Sequence, residues 1–176
     1  MYEIMEGTME KRNKELKQFL QFVRSLAFIL LILWLTFTFA VGIKMVPNDD
    51  MSPRLNAGDI MMYYRIGNAY GAQDVIVFKK NGTEYVGRIV AKGGDTVEIT
   101  KEENLIINGN VVTEDKIYSS TPMYEGFQDY PVTLASDEYF VLSDERQGGE
   151  DSRYFGAVNK SEVKGIVIGL FRRGGF

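Results

Sequence analysis

Residues 105–112 read LIINGNVV, with the Asn108-Gly109 pair standing between Leu105-Ile106-Ile107 and Val111-Val112. Asn-Gly flanked by apolar residues is a strong hairpin signal, because a tight two-residue turn needs positive φ at both central positions. Outward from it, short apolar and aromatic runs recur as DIMMYYRI (59–66), DVIVF (74–78), EYVGRIVA (84–91), TVEIT (96–100), EYFVL (138–142) and GIVIGLF (165–171). Gly, Asn and Asp turn residues separate them. No ten-residue window from 44 to 176 carries a helical apolar period, so this part is expected to be mainly β, mostly antiparallel, with long loops. In Met61, Met62, Tyr63 and Tyr64, alternation sends one Met and one Tyr to each face. The stretch 118–131 reads as an irregular excursion.

The N-terminal part differs. Residues 25–43, SLAFILLILWLTFTFAVGI, are 19 consecutive residues without a charge. At ~1.5 Å rise per residue they approach the ~30 Å hydrocarbon thickness of a bilayer, which predicts a transmembrane helix. The run exceeds the ~7–15 residue core of a secretory signal and shows no turn before Thr38-Phe39-Ala40, so an uncleaved anchor is expected. Lys11, Arg12, Lys14, Lys17 and Arg24 precede it, and the positive-inside rule keeps such a cluster in the cytoplasm. The expected organisation is a cytoplasmic basic tail over 1–24, an anchor over 25–43 and an extracytoplasmic β domain over 44–176. A single-pass cell-membrane protein with its N-terminus inside is expected.

Of the 176 residues none is Cys or His, and the formal net charge is -4. A Ser/His/Asp triad, a thiol nucleophile, a disulfide framework and the usual zinc site are thereby excluded. No metal or other cofactor is expected, and any chemistry would fall to Ser, Lys, Tyr, Asp or Glu. The 20 basic residues do not exceed the 24 acidic ones, so nucleic acid is not an expected partner. Beyond residue 43, 15 basic and 20 acidic residues leave a local charge of -5, which does not favour adhesion to anionic headgroups through charge alone.

Three motifs follow the apolar segment in order: VPNDDMSPRL (46–55) running on to Gly58-Asp59, YVGRIVAKGGD (85–95), and SDERQGGEDSRYFG (143–156). Each alone is weak; their order, spacing and position are specific. The arrangement resembles the type I signal peptidases, membrane-anchored β-rich proteases that remove signal peptides outside the cytoplasmic membrane. In that family the first box reads Pro-Ser-x-Ser-Met-x-Pro-Thr-Leu, the second Tyr-x-Lys-Arg, and the third Gly-Asp-Asn-Arg-x-x-Ser-x-Asp-Ser-Arg-x-x-Gly. The serine before the Met attacks, and the neutral lysine before the Arg takes its proton. Pro53, Leu55, Gly58 and Asp59, then Gly94-Asp95, then Asp144, Arg146, Asp151, Ser152, Arg153 and Gly156 fit the pattern. The resemblance gives these a structural role.

The departures fall on the chemistry. Asp50 precedes Met51 and Gly87 precedes Arg88, so the resemblance implies that nucleophile and base are both replaced and that no catalytic residue remains. Asn48 stands where the family has the serine that helps hold the oxyanion, and Gly149 where it has a serine close to the lysine. A divergent peptidase using Asp50 with another carboxylate such as Asp49, Asp144 or Asp151 is the competing enzyme reading. Ser52 as a displaced nucleophile lies too far along and has no base. The resemblance also implies a groove in which an extended peptide adds as a strand, with Asn48, Asp49, Asp50, Met51, Tyr85, Gly87, Arg88 and Gly149 as candidates. Gly87 is expected to leave a small gap or to let the backbone close in. Asp50 is expected either to favour a Lys or N-terminal amine of a partner, or to be satisfied by Arg88 or a backbone amide.

Degenerate relatives of this kind stand beside genes for polymerised surface pili in Gram-positive cocci. The implied function is non-catalytic assistance of pilus or surface-protein assembly, with pilin or other secreted surface-protein segments, the sortase and the membrane bilayer as partners. A vestigial groove with contacts elsewhere, for instance through 118–131, is a third reading. In the active family, apolar surface near the site dips towards the membrane, and the resemblance implies the same for some of residues 61–64.

Overall fold

The computed structural model describes residues 2–172 except 68, 116 and 118, with side chains from residue 12 onward. It divides into two units, Met1–Ala40 and Val41–Phe176. The first is one helix, α1 (Tyr2–Phe39). Its segment Arg12–Phe39, 28 residues, is long and apolar enough to cross a membrane, spanning about 42 Å at ~1.5 Å per residue. The side chain of Lys11, in the basic cluster, lies outside the described residues. The helix is also shorter at its C-terminal end than the uncharged run suggests: residues 41–43 belong to a strand. A charge-free stretch rich in Val and Ile suits a bilayer span and a buried strand alike, so its composition does not mark the boundary.

The second unit is built from β1 (Val41–Met45), β2 (Ile60–Tyr64), β3 (Val75–Lys80), β4 (Thr83–Lys92), β5 (Thr96–Ile99), β6 (Leu105–Ile107), β7 (Asn110–Val111), β8 (Val132–Thr133), β9 (Glu138–Leu142), the one-turn helix α2 (Ser152–Phe155), β10 (Val158–Asn159), a 3₁₀ turn (Lys160–Glu162) and β11 (Val163–Phe171). Each apolar run singled out in the sequence forms a strand. β8 and β10, two residues each, are too short to carry a period. All ladders are antiparallel. One sheet has the order β1-β2-β11-β3-β4-β9-β10, the other β7-β6-β5-β8.

Three irregularities bend the large sheet, two in β11 and one in β4; each extra residue kinks its strand and increases its twist. Alternation then divides the core. Val46, Met51, Leu55, Met61 and Val77 pack with Val86 on one face, while Ile76, Phe78, Ile89, Val141 and Val158 pack with Tyr85 on the other. A third cluster, including Val90, Val97, Leu105, Phe140 and Leu142, ties in the small sheet. In β2, Met61 is fully buried and Tyr64 exposed. Outward-facing Ile43, Met45, Ile60 and Phe171 extend that exposed side across three neighbouring strands.

The Asn108-Gly109 hairpin forms as the motif implies, with φ of 53° and 79° and Ile107 opposite Asn110. Asn108 also accepts from the Thr96 N–H at 2.9 Å and donates to Asp95 at 2.8 Å, locking the turn to the start of β5. A β-branched residue tolerates positive φ poorly, so Gly109→Val is expected to cost roughly 1–2 kcal/mol, read as a lowered midpoint of chemical unfolding followed by circular dichroism.

Candidate functional site

The loop between β1 and β2 is shaped by its own polar groups. The Val46 N–H donates to the Asp59 carbonyl at 2.8 Å, Gly58 donates back to Val46, and the Asp59 carboxylate accepts from the Asn56 N–H. Asp49 spends its carboxylate on the Ala57 N–H at 2.8 Å. Met51 and Leu55 turn into the core, so Met51 is a packing residue and not part of an open groove. Between these anchors Asp50 is half-buried, accepts from the Asn48 side-chain amide at 2.6 Å, and through its carbonyl accepts from the Glu145 N–H at 2.8 Å. The last bond lays the first motif against the third.

Three buried guanidinium–carboxylate pairs hold the third motif. Arg88 grips Asp144 with two parallel bonds of 2.7 and 2.6 Å and donates to the Gln73 carbonyl. Arg153 grips Asp151 with bonds of 2.9 and 2.8 Å and reaches the carbonyls of Pro122 and Arg146. Arg146 bonds Glu114 and Thr121. Asp151 further caps α2 through the Arg153 N–H and accepts from Ser143, while Ser152 accepts from the Val141 N–H. Arg88 is therefore committed to Asp144 and buried. It does not satisfy Asp50, whose described side-chain partner is Asn48; it borders instead a cleft shared with Gln73, Val75 and Ile166.

Gly87 sits in β4 with no room for a side chain. A Cβ there would lie 2.5 Å from Val141 Cγ1 and 3.3 Å from the Leu142 carbonyl oxygen. Of the two outcomes expected at this position, a gap or a closer approach, the gap is absent: Val141 from β9 fills the space and the Leu142 carbonyl lies close. Gly149 is closed in the same way, because a Cβ would fall 2.1 Å from the Ser143 hydroxyl. Tyr85, one strand face over from Glu84, donates to Glu150 at 3.0 Å. The sequence reading overlooked Tyr124, Glu150 and Val141. Tyr124 donates to the Gly149 carbonyl at 3.1 Å and lies 4.3 Å beneath the Arg153 guanidinium. With Thr121 and Pro122 it gives residues 121–124 a clear task, the support of the third motif. Tyr118 lies outside the described residues. No periodicity announces such contacts, since they join a loop to a loop.

Burial pushes the Asp50 carboxyl above its ordinary value, and the nearby carboxylates Asp151, Glu150 and Asp49 add to the effect against the Asn48 amide. A carboxyl raised in the folded state contributes stability when protonated, and that contribution is lost as pH rises through the folded value. Asp50→Asn is accordingly expected to stabilise the protein at pH 7, with the advantage shrinking as pH falls through the carboxylate range, measured as unfolding midpoints across pH. By contrast, Arg153→Met leaves a buried carboxylate alone and is expected to cost about 3–5 kcal/mol, seen in the same unfolding assay.

Comparison with known proteins follows from this geometry. A family model described as signal peptidase, peptidase S26, matches residues 19–171. The chain is 25% identical over 165 residues to an "Inactive signal peptidase IA" of Staphylococcus aureus (strain COL), covering 86% of this chain and 91% of that one. It is 27% identical over 171 residues to "Signal peptidase I P" of Bacillus subtilis subsp. natto, covering 89% and 90%. A crystal structure of a signal peptidase I from Enterococcus faecalis V583 is 30% identical, covers 57% of this chain and 97% of that one, and superposes with a TM-score of 0.47. With a family match across most of its length, the chain belongs to the signal peptidase, peptidase S26, family.

Proposed function

We propose that this protein is a membrane-anchored pseudo-peptidase that binds extended segments of secreted surface proteins without cutting them. The observation that carries this reading is the filled space at Gly87. In the serine/lysine chemistry of the family the base must come from the position before the Arg of the second box, and here Val141 occupies the volume its side chain would enter. The nucleophile position holds Asp50, a carboxylate among carboxylates. A rebuilt acid site has less support, because Asp151 and Asp144 are each spent on a buried Arg and Glu150 on Tyr85.

An exposed strand edge supports the peptide-binding part of this reading. β9 joins β4 only from Arg88 onward, so residues 83–87 keep one edge with no strand paired to it among the described residues, able to accept a peptide strand. α1 is the anchor, the basic residues before its apolar part favour an N-terminus in the cytoplasm, and the exposed side of β1, β2 and β11 is the surface that meets the bilayer. The pairing of Asp50 with Gly87 resembles that of signal-peptidase-like proteins encoded beside surface pili. Pilin segments are therefore the partners we assign, with the sortase acting alongside.

The full-length chain in lipid nanodiscs, mixed with signal-bearing precursors, is expected to give no specific cleavage. Asp50→Ser with Gly87→Lys is expected to stay inactive, since a lysine at 87 must displace Val141. A specific cut by the natural chain that Asp50→Ala abolishes would overturn the proposal. Photocrosslinking from position 50 in intact cells is expected to trap a secreted surface protein.

A further inference from the structure

Among the described residues, β1 pairs only with β2, and residues 83–87 of β4 pair only with β3. In a flat sheet β1 and β4, four strand spacings apart, would be separated by about 19 Å. Yet Lys44 of β1 and Glu84 of β4 form an ion pair. The sheet is therefore curled enough for side chains of its first and fifth strands to meet, and the groove proposed above runs between the edges of those two strands. The Lys44–Glu84 pair marks one end of it. The bond from the Glu145 N–H to the Asp50 carbonyl, beside Arg88, marks the other. From Glu84 to Arg88 is four residues, about 13 Å of extended chain.

The two ends carry opposite charge. Glu84 is held below its ordinary carboxyl value chiefly by Lys44, with Lys79 and Lys164 contributing. Lys79 is its direct cross-strand neighbour, and among the described residues neither Lys79 nor Lys164 makes an ion pair of its own. Three cations thus surround one carboxylate. At the far end Asp49, Asp50 and Glu150 have, among the described residues, only neutral hydrogen-bond partners, the Ala57 N–H, the Asn48 amide and the Tyr85 hydroxyl. Oppositely charged ends separated by one short strand length select a ligand of matching polarity, because charges across an interface set specificity and register more than raw affinity.

We infer that the occupant of this groove is an extended peptide with an acidic side chain at the Lys44 end and a basic side chain about four residues away at the Asp50 end. The inference rests on the groove reading above and adds the chemistry of its ligand. On binding, Lys44 shares its charge between Glu84 and the peptide carboxylate, and the peptide cation meets Asp50 and Glu150.

The test uses the full-length chain in detergent and fluorescently labelled nine-residue Ala/Val peptides that differ only at two positions four residues apart. Their side chains are Lys then Glu, Glu then Lys, Gln and Gln, Lys and Lys, or Glu and Glu. At least one mixed-charge order is expected to bind about tenfold tighter than the Gln peptide, and the winning order reports the direction of the added strand. Both like-charged peptides should bind no better than the Gln peptide. The preference should shrink in 0.5 M salt, where the screening length falls to roughly 4 Å. Lys44→Met should erase the preference for Glu and Asp50→Asn that for Lys, each by about tenfold, in protein whose circular dichroism is unchanged. Equal binding of all five peptides overturns this inference and leaves the groove standing, whereas no binding by any of them overturns the groove as well.

Discussion

The buried pairing of guanidinium with carboxylate is the constraint on which the rest of the β unit depends. Arg88–Asp144 and Arg146–Glu114 tie β4 and the segment before residue 121 to the loop after β9, and Arg153–Asp151 closes that loop onto α2. Such pairs add little net stability over an apolar equivalent, but breaking one strands a buried charge. They therefore act as registration points. The loop from 143 to 151 takes the one path that places Asp144 on Arg88 and Asp151 under α2, and that path carries the Glu145 N–H to the carbonyl of Asp50.

On the proposed pseudo-peptidase reading, this division explains how a signal-peptidase framework would persist without its chemistry. The ion pairs lie behind the site and do not need a nucleophile or a base in front of them. Once a glycine stands at position 87, the neighbouring Val141 can close against the backbone, since interiors pack to the density of organic crystals and do not leave a side-chain-sized void. The Ser143 hydroxyl closes against Gly149 in the same manner. The space a side chain would need at positions 87 and 149 is thus taken by Val141 and Ser143.

Legibility differed between element and site. Each strand of four or more residues from β2 onward, and the Asn108-Gly109 hairpin, could be read directly, because alternation and turn chemistry are local properties. β1 escaped notice because Val41, Gly42 and Ile43 continue an uncharged run, and only pairing with β2 gives them a strand's identity. At the site the third-motif residues were recognisable as scaffold. Met51 and Arg88 were read as groove residues, but Met51 packs in the core and Arg88 is spent on Asp144, contacts with residues distant in the chain that adjacency to a motif does not reveal. The support given by Thr121, Pro122 and Tyr124 was invisible for the same reason: it joins loops distant in the chain.

From sequence alone come the apolar N-terminal segment, the antiparallel β character, the family and the two positions where its reactive groups would stand. These follow from composition, spacing and residue type, which are carried along the chain. Tertiary structure decided the partner of each charge and the curl that brings Lys44 to Glu84. It also decided that the space at Gly87 is occupied. Those outcomes depend on which residues distant in sequence arrive side by side, and only the bending of the sheet and close packing within it determine that.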